Sequence, residues 1–224
     1  MGLCRQLPAW RSVLAVVAHP DDESFGLGAV LSRFAEHGEV SLLCLTHGEA
    51  STLHGFDGQL ATVRAAELHN AATVLGLHEI ALLDHPDGRL VDVNPDVLDA
   101  TVIAMADRLG ADGLLVFDPS GVTGHPDHQA ATAAATRAAS ALGLPVLAWT
   151  IPTPVAETLN TEFGTSFVGH AGSQIDIDLP VDRSHQRAAV TCHPSQAVPS
   201  SALWRRLELL GDVEHLRWIH RRSA

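Results

Sequence analysis

Short apolar runs alternate with longer segments of helical period through the first two thirds of this chain. The apolar runs, rich in leucine and β-branched residues, lie at residues 13–18, 40–46, 80–83, 114–117 and 145–149. Between them, apolar side chains recur with the helical period at residues 24–37, 60–75, 95–108 and 127–141. Strands that are apolar throughout and separated by helices are typical of a parallel sheet covered on both faces. The pattern predicts an α/β fold, a Rossmann-like three-layer sandwich with a mostly parallel sheet.

Glycine residues mark the predicted helix ends. Left-handed glycine caps commonly end helices, and one glycine follows each of the four segments: Gly38, Gly76, Gly110 and Gly143.

The pattern loosens after residue 150 into proline-rich turns. We expect an antiparallel pair at 166–170 and 174–178, then helices near 181–191 and 200–210. No Gly- or Ser-rich linker separates this part from the rest. The chain is therefore predicted to form a single domain over residues 1–224, with a core at about 11–150 and a small C-terminal appendage at about 151–224.

Composition excludes several classes of function. The formal net charge is -12, and the chain has no lysine, so all 14 basic side chains counted as Lys or Arg are arginine. So acidic a chain would repel a phosphate backbone, which argues against nucleic acid as a partner. Without lysine, neither a Schiff base with pyridoxal phosphate nor a Walker A phosphate loop can form.

Hydropathy predicts no membrane span. No apolar run approaches the roughly 20 residues that cross a bilayer, and the first ten residues lack the apolar stretch of a signal peptide. We expect a cytoplasmic location. Trp204 and Trp218, near the C-terminus, are candidates for an interface in a homo-oligomer.

Two related motifs follow the first and fourth predicted strands. The first reads Ala-His-Pro-Asp-Asp-Glu at 18–23, and the second reads Gly-His-Pro-Asp-His at 124–128. Each also suits a helix start, because proline fits the first helical turn and acidic side chains complement the helix dipole there. In a Rossmann-like strand order, however, the first and fourth strands flank the switch point, so both motifs would face one crevice.

Their convergence predicts a metal site. Catalytic zinc takes about three nitrogen or oxygen ligands and keeps a position open for water. His19, Asp22 and His128 supply such a set. Zinc is the expected metal, one ion per chain, although mixed histidine and carboxylate ligands also accept iron, cobalt or manganese.

Taken together, these motifs closely resemble the LmbE-like (PIG-L) family of zinc N-deacetylases. The resemblance extends through Thr-His-Gly-Glu at 46–49, Arg-Ala-Ala-Glu at 64–67 and His-Pro-Ser-Gln at 193–196. The family includes deacetylases of N-acetylglucosaminyl lipids and of the mycothiol precursor, and amidases of mycothiol conjugates. The resemblance implies a hydrolase that removes an acyl group, expected to be acetyl, from the nitrogen of a small sugar-like amide.

The resemblance also implies roles for individual residues. His19, Asp22 and His128 would hold zinc, and Asp21 would be the general base. His125, as imidazolium, would stabilise the oxyanion and help to protonate the leaving amine, with Asp127 orienting its ring. Some members carry tyrosine two residues before that histidine, where this chain has the shorter Thr123.

Three further residues are candidates for substrate contact. Arg64 resembles the family's substrate-contacting arginine, and its alternative is an i,i+3 pair with Glu67 on a solvated face. Asp87, in the sequence Asp-Gly, is a hydrogen-bond acceptor for hydroxyl groups or a turn residue. His193 is a candidate only through the family pattern. Glu23 and Glu49 are expected to be structural.

Two other hypotheses stay open. A nucleotide-binding oxidoreductase or transferase would use Gly26 and Gly28, but three acidic residues precede them where a pyrophosphate would bind. A metal-holding scaffold without turnover is the second, and a general base has no purpose there. Specificity is expected from the loops at 49–59 and 150–163.

Overall fold

In the computed structural model, which describes residues 4–53 and 59–221, seven strands form one sheet. In chain order they are β1 Ser12–Val17, β2 Glu39–Thr46, β3 Glu79–His85, β4 Gly113–Phe117, β5 Val146–Thr150, β6 Ile177–Pro180 and β7 Val213–His220. The α-helices of these residues are α1 Asp22–Phe25, α2 Gly28–Ala35, α3 Leu60–Leu75, α4 Pro95–Leu109, α5 Pro126–Leu142, α6 Thr153–Phe163, α7 Ser184–Val190 and α8 Ala202–Leu210.

The strand order places β1 beside β4. The order is β3-β2-β1-β4-β5-β7-β6, with the first five strands of the chain parallel and β7 antiparallel to both β5 and β6. The chain thus winds outward from β1 in one direction and from β4 in the other, which makes their carboxyl ends a topological switch point. The predicted α/β fold with a mostly parallel sheet is confirmed.

Alternation along each strand divides the core into two layers. In β1, Val13, Ala15 and Val17 pack against α2 and α3, whereas Leu14 and Val16 pack against α4 and α5. Side chains of successive strand residues point to opposite faces, so strands that are apolar throughout supply both layers. Helices α6, α7 and α8 add to the α2 and α3 layer.

The predicted N-terminal half agrees with the structure except in two details. The helix expected at 24–37 is divided into α1 and α2 near Gly26, where a Cβ atom would lie 2.3 Å from the Phe117 ring. Gly38 does not adopt the left-handed conformation of the other three predicted caps. A Cβ atom there would lie 2.6 Å from the Arg11 carbonyl oxygen, so this glycine permits close chain packing instead.

The C-terminal third differs more from the prediction. The pair expected at 166–170 and 174–178 is wrong, because Ile177–Pro180 pairs with β7 and His170 makes only an isolated bridge to Pro152. Strand β7 was not predicted, since its inward side chains include the charged Glu214 and the apolar alternation is hidden. Helix α6 replaces an expected loop, and its prolines fit the first turn of a helix.

Within the described parts of the chain, no helix combines the length and hydropathy that crossing a bilayer requires. Residues 54–58 of the expected specificity loop at 49–59 lie outside the described residues.

Candidate active site

The loops after β1 and β4 converge on a cavity of about 480 Å³. The two predicted motifs contribute His19, Asp21, Asp22, His125 and His128 to its lining. The cavity lies outside the carboxyl ends of the parallel strands, as expected for an open α/β sheet.

The loop after β1 separates the two neighbouring aspartates. The backbone of Asp21 adopts a positive φ of 114°. Non-glycine residues rarely occupy this region of backbone conformation. Asp22 turns back onto the strand end, and its Oδ2 accepts hydrogen bonds from the backbone N–H groups of Ala18 (3.2 Å) and His19 (3.0 Å). The two carboxylates therefore have different surroundings although they are adjacent in sequence.

The loop after β4 fixes the orientation of His128. Gly121 and Val122 both have positive φ, and this turn directs the Gly121 carbonyl toward the ring. His128 Nδ1 lies 3.0 Å from that carbonyl oxygen and donates to it, which leaves Nε2 for a proton or a metal ion. Nε2 lies 3.1 Å from Asp22 Oδ1. Thr123 lines the cavity, with its hydroxyl 3.4 Å from His128 Nδ1.

The donor atoms suit a metal ion. In two sets of three residues, the possible ligand atoms all lie within 4.8 Å of one another. One set is His19, His125 and His128, and the other is His19, Asp87 and Asp127. Asp22 contacts His128 and lies 3.7 Å from His19 Nδ1. Nitrogen and carboxylate oxygen donors at this density match the ligand types that zinc takes in catalytic sites.

The site favours a positive charge. Burial would lower the pKa of His19, but Asp127, Asp87 and Asp22 outweigh it and raise that pKa to about 10. Burial would raise the pKa of Asp22, but His128 and His19 hold it well below its usual range. These carboxylates stay ionised and attract a cation, which is the electrostatic condition for metal binding.

Asp21 is held by two buried partners. Its backbone N–H donates to Glu23 Oε2 at 2.8 Å, and its Oδ1 lies 3.2 Å from Arg64 Nη2. Burial raises the pKa of Asp21 to about 6, although Arg64 opposes the shift. A carboxylate with a pKa near the working pH suits a general base.

Arg64 lines the cavity and does not form the alternative i,i+3 pair with Glu67 on a solvated face. Its side chain is buried, 3% of the residue being exposed, and its guanidinium donates to the backbone carbonyl oxygens of Gly48 (2.6 Å) and Pro20. Gly48 has φ of 65°, and a Cβ atom there would lie 2.0 Å from Arg64 Nη1. Glu67 instead accepts hydrogen bonds from Ser195 N and Oγ, at 2.9 Å and 2.6 Å. The main contacts of Arg64 therefore position Asp21, even though it borders the cavity.

Asp127 contacts the His125 ring through its backbone N–H and not through its carboxylate. Its oxygens accept from the backbone N–H groups of Gly88 (2.7 Å) and Leu90 (3.0 Å) and contact His19 Nε2 at 3.3 Å. It is the backbone N–H of Asp127 that donates to His125 Nδ1, at 3.1 Å. Asp127 thus positions His19 and the loop after β3.

The surroundings of His125 favour its neutral ring over the imidazolium. Burial, His19 and His128 lower its pKa below the ordinary value of 6.5. Because Nδ1 accepts a hydrogen bond, the proton of the neutral ring resides on Nε2. His125 lines the cavity, so it can serve as a hydrogen-bond donor there without first gaining a proton.

Of the remaining predicted residues, Asp87 lines the cavity and the others are structural. Asp87 lines the cavity, accepts from Ala50 N at 2.8 Å and lies 3.0 Å from His19 Nε2. His193 is fully buried, and its Nε2 lies 2.6 Å from Glu23 Oε1. Substrate contact by His193 is therefore not supported, because it lies behind the carboxylate that holds Asp21. Glu23 and Glu49 accept backbone N–H groups, as expected for structural residues.

Sequence reasoning missed the opposite wall of the cavity, which includes Trp149, Leu203 and Arg206. Arg206 lies on the same face of α8 as Leu203, Leu207 and Leu210, three or four residues apart. In the sequence, a lone arginine on the apolar face of a predicted helix was the signal that could have indicated this part of the cavity.

Comparisons with known proteins agree with this geometry. A 1D-myo-inositol 2-acetamido-2-deoxy-alpha-D-glucopyranoside deacetylase of Kineococcus radiotolerans is 31% identical over 160 residues, covering 57% of this chain and 44% of that protein. A diacetylchitobiose deacetylase of Thermococcus kodakarensis is 32% identical over 139 residues, covering 60% of this chain and 51% of that protein. This chain thus matches about half the length of these two relatives.

Solved structures show the same fold. GalB, the 4-carboxy-2-hydroxymuconate hydratase of Pseudomonas putida KT2440, superposes with a TM-score of 0.71 at 18% identity, covering 96% of this chain and 98% of that chain. At this identity the likeness concerns the fold alone. The family model described as GlcNAc-PI de-N-acetylase matches residues 14–139, more than half of the sequence and both metal-site motifs. The chain therefore belongs to the PIG-L family.

Proposed function

We propose that this protein is a metal-dependent hydrolase that removes the acetyl group from the nitrogen of an N-acetylglucosamine-like substrate. Family membership supports the proposal, as do the names of the two relatives, both deacetylases of acetamido sugars. The observation that carries it is the convergence of a metal donor set and a separately held carboxylate, Asp21, in one cavity.

His19, Asp22 and His128 are the residues that would hold the metal, with zinc as the proposed ion. When bound, zinc supplies Lewis-acid activation of a water molecule and of the amide carbonyl. Asp127 and Asp87 contact His19 Nε2 and so limit its orientation. The neighbouring N–H groups of Ala18 and His19 fix Asp22, which keeps the donor atoms in place before a metal arrives.

Asp21 is the proposed general base. It would take a proton from the attacking water and, with a pKa of about 6, can return it to the leaving amine. Glu23 and Arg64 hold its backbone and carboxylate from opposite sides. Such positioning matters because proton transfer requires hydrogen-bond distance to the reacting atom.

His125 is the proposed oxyanion donor. Its Nε2–H would stabilise the charge that develops on the carbonyl oxygen as water attacks. Thr123, where some family members carry tyrosine, is too short to add a distant phenolic donor. The oxyanion would therefore depend on His125 and the metal in this chain.

The test combines metal content with amine release. The wild-type protein, purified without an affinity tag, should contain about one zinc per chain and release amine from N-acetylglucosamine glycosides. Asp21→Asn should retain the metal and lower turnover by roughly 10²- to 10⁴-fold, the usual contribution of a general base. Asp84→Asn is the matched control, because that side chain is 95% exposed at the same edge of the sheet.

Each alternative outcome has a clear meaning. Metal binding without amine release from any glycoside would favour the scaffold hypothesis. Absence of both metal and activity after zinc addition would contradict the proposal, as would full activity in Asp21→Asn. The nucleotide-binding hypothesis gains no support, because Asp21, Asp22 and Glu23 occupy the turn where a pyrophosphate would have to bind.

A further inference from the structure

A buried basic network adjoins the cavity at Trp149 and Arg206. Arg183 forms an ion pair with Glu214 and donates to Gln186 Oε1 at 2.6 Å. Glu214 also accepts a hydrogen bond from Trp149 Nε1 at 2.7 Å. All four of these residues are buried. Glu214, the single carboxylate among them, already has two partners, Arg183 and Trp149.

Arg206 belongs to this region but lacks a carboxylate partner among the described residues. Only 2% of the residue is exposed. Its Nη2 donates to the Phe25 carbonyl oxygen, and its guanidinium lies 4.7 Å from the centroid of the Trp149 ring. Nε is buried and has no hydrogen-bond partner. Glu214 and Asp22 act on Arg206 electrostatically, but neither forms an ion pair with it, whereas Arg183 is paired directly with Glu214.

Arg206 reaches the cavity although almost all of the residue is buried. It lines the same cavity as His19 and Asp21. A buried charge without a counter-charge is unfavourable, and an anion in the cavity would remove that cost.

We propose that Arg206 is a specificity residue that binds an oxyanion, a carboxylate or phosphate, on the substrate. The anion would belong to the group attached to the N-acetyl sugar, so that the acetamide reaches the metal donors while the anion reaches the arginine. A planar guanidinium suits both kinds of oxyanion because it offers paired N–H donors. This inference rests on the proposed function and narrows its substrate class.

The rival explanation is structural. Arg206 would then only cap the end of α1 through Phe25 and stack on Trp149, without touching substrate. That role predicts equal effects of a substitution on neutral and anionic substrates, whereas an anion site predicts unequal effects.

The test compares three N-acetylglucosamine derivatives: the neutral methyl glycoside, the carboxymethyl glycoside and the 1-phosphate. For the wild type, kcat/KM should be at least about tenfold higher for one of the anionic compounds than for the neutral methyl glycoside. Which of the two anionic compounds is preferred tells whether the site binds a carboxylate or a phosphate. In Arg206→Gln this preference should fall by about 10- to 100-fold, as expected for loss of a hydrogen bond to a charged group. Arg206→Lys should retain part of it.

Arg205→Gln is the matched control. Arg205 precedes Arg206, and its guanidinium pairs with Glu162 on the protein surface, so the substitution changes net charge equally and should keep the wild-type preference. Equal kcat/KM for all three compounds in the wild type would overturn the proposal. An equal loss for all three in Arg206→Gln would do the same and would leave the structural explanation.

Two further measurements keep the result decisive. If Arg206→Gln does not fold, judged by its circular dichroism, the wild type and Arg206→Lys decide, because an anion site requires a wild-type preference that lysine reduces. If no compound releases amine, the proposed function fails separately. Calorimetric binding of the same compounds to zinc-loaded wild-type and Arg206→Gln protein then tests the anion site alone, and equal affinities would overturn it.

Discussion

The two walls of the cavity differ in charge and in the way the chain builds them. The acidic wall, defined by His19, Asp21, Asp22, His125 and His128, follows two parallel strands and attracts a cation. The arginine wall, defined by Trp149, Leu203 and Arg206, combines β5 with helix α8. Within residues 4–53 and 59–221, no carboxylate forms an ion pair with its arginine. The first wall depends on local loops, whereas the second depends on chain segments more than 50 residues apart.

The difference shows how one cavity can favour a bipartite ligand. The acidic wall offers carboxylate and imidazole donors for a cation, whereas the arginine wall offers a guanidinium for an anion. Behind the acidic wall, Glu23 of the first motif contacts His193 from the C-terminal third, with 2.6 Å between Oε1 and Nε2. The comparison predicts that damage to one wall leaves the chemistry of the other largely intact.

The largest effect is expected from Asp22→Asn, which attacks the acidic wall alone. The asparagine oxygen can still accept the Ala18 and His19 N–H groups, so the loop is preserved while the anionic ligand is lost. We expect metal content to fall and amine release to drop by about 10³-fold or more, because the metal contributes several kcal/mol to the transition state. Elemental analysis and a turnover assay measure both, and full zinc content with normal turnover would contradict the assignment.

The second largest effect is expected from Glu214→Gln, which should lower the free energy of unfolding by disturbing the buried residues next to the arginine wall. Glu214→Gln removes the carboxylate that pairs with Arg183 and leaves Trp149 with a weaker acceptor. We expect the free energy of unfolding to fall by about 3 kcal/mol, because breaking a buried ion pair strands its partner. Urea titration measures this change, and the exposed Glu157→Gln is the control.

Metal content should remain about one per chain in folded Glu214→Gln. Loss of metal in that variant would mean that the two walls are energetically coupled, and the comparison would need revision.

The smallest effect is at the junction between the walls, where Asp118 follows β4. It accepts from Ser120 N at 2.9 Å and from Arg217 Nη1 at 2.8 Å, and its Oδ2 lies 3.0 Å from His170 Nε2. Although burial raises the pKa of Asp118, these partners together lower it below the ordinary value of 3.8. A carboxylate with a lowered folded-state pKa stabilises the fold above its unfolded pKa and loses that contribution as pH falls through the folded value.

Asp118→Asn should therefore cost about 2 kcal/mol of unfolding free energy near pH 7, the scale of charged hydrogen bonds. The difference from wild type should shrink as pH falls below 3.8, the ordinary pKa of the side chain. Urea titrations at several pH values measure it, with the exposed Asp107→Asn as control. A difference independent of pH would show that the charge of Asp118 is not the stabilising feature.

Local sequence patterns predicted the acidic wall because its residues follow strands directly. His19 and Asp22 come at the end of β1, and His125 and His128 begin α5, so strand assignment alone placed them at one sheet edge. Their partners could not be predicted in the same way. Arg64 lies in a helix 16 residues beyond Gly48, and only the folded chain shows that it turns inward to Asp21 rather than outward to Glu67.

The C-terminal third resisted prediction for a related reason. Strand β7 returns antiparallel between β5 and β6, and its buried positions include Glu214, whose partner Arg183 lies 31 residues earlier. Patterns of apolar residues do not reveal a charged residue that is buried by pairing.

Apolar periodicity and contiguous motifs are local properties of the chain, so they were enough to predict the parallel sheet, the family and a cluster of histidine and carboxylate side chains at one sheet edge. Tertiary structure alone decided which side chains position Asp21, that Asp127 supports His19, that His193 is buried and that Arg206 faces the same cavity. The physical reason is that side-chain pairing and burial depend on the approach of distant segments, and only packing fixes that approach.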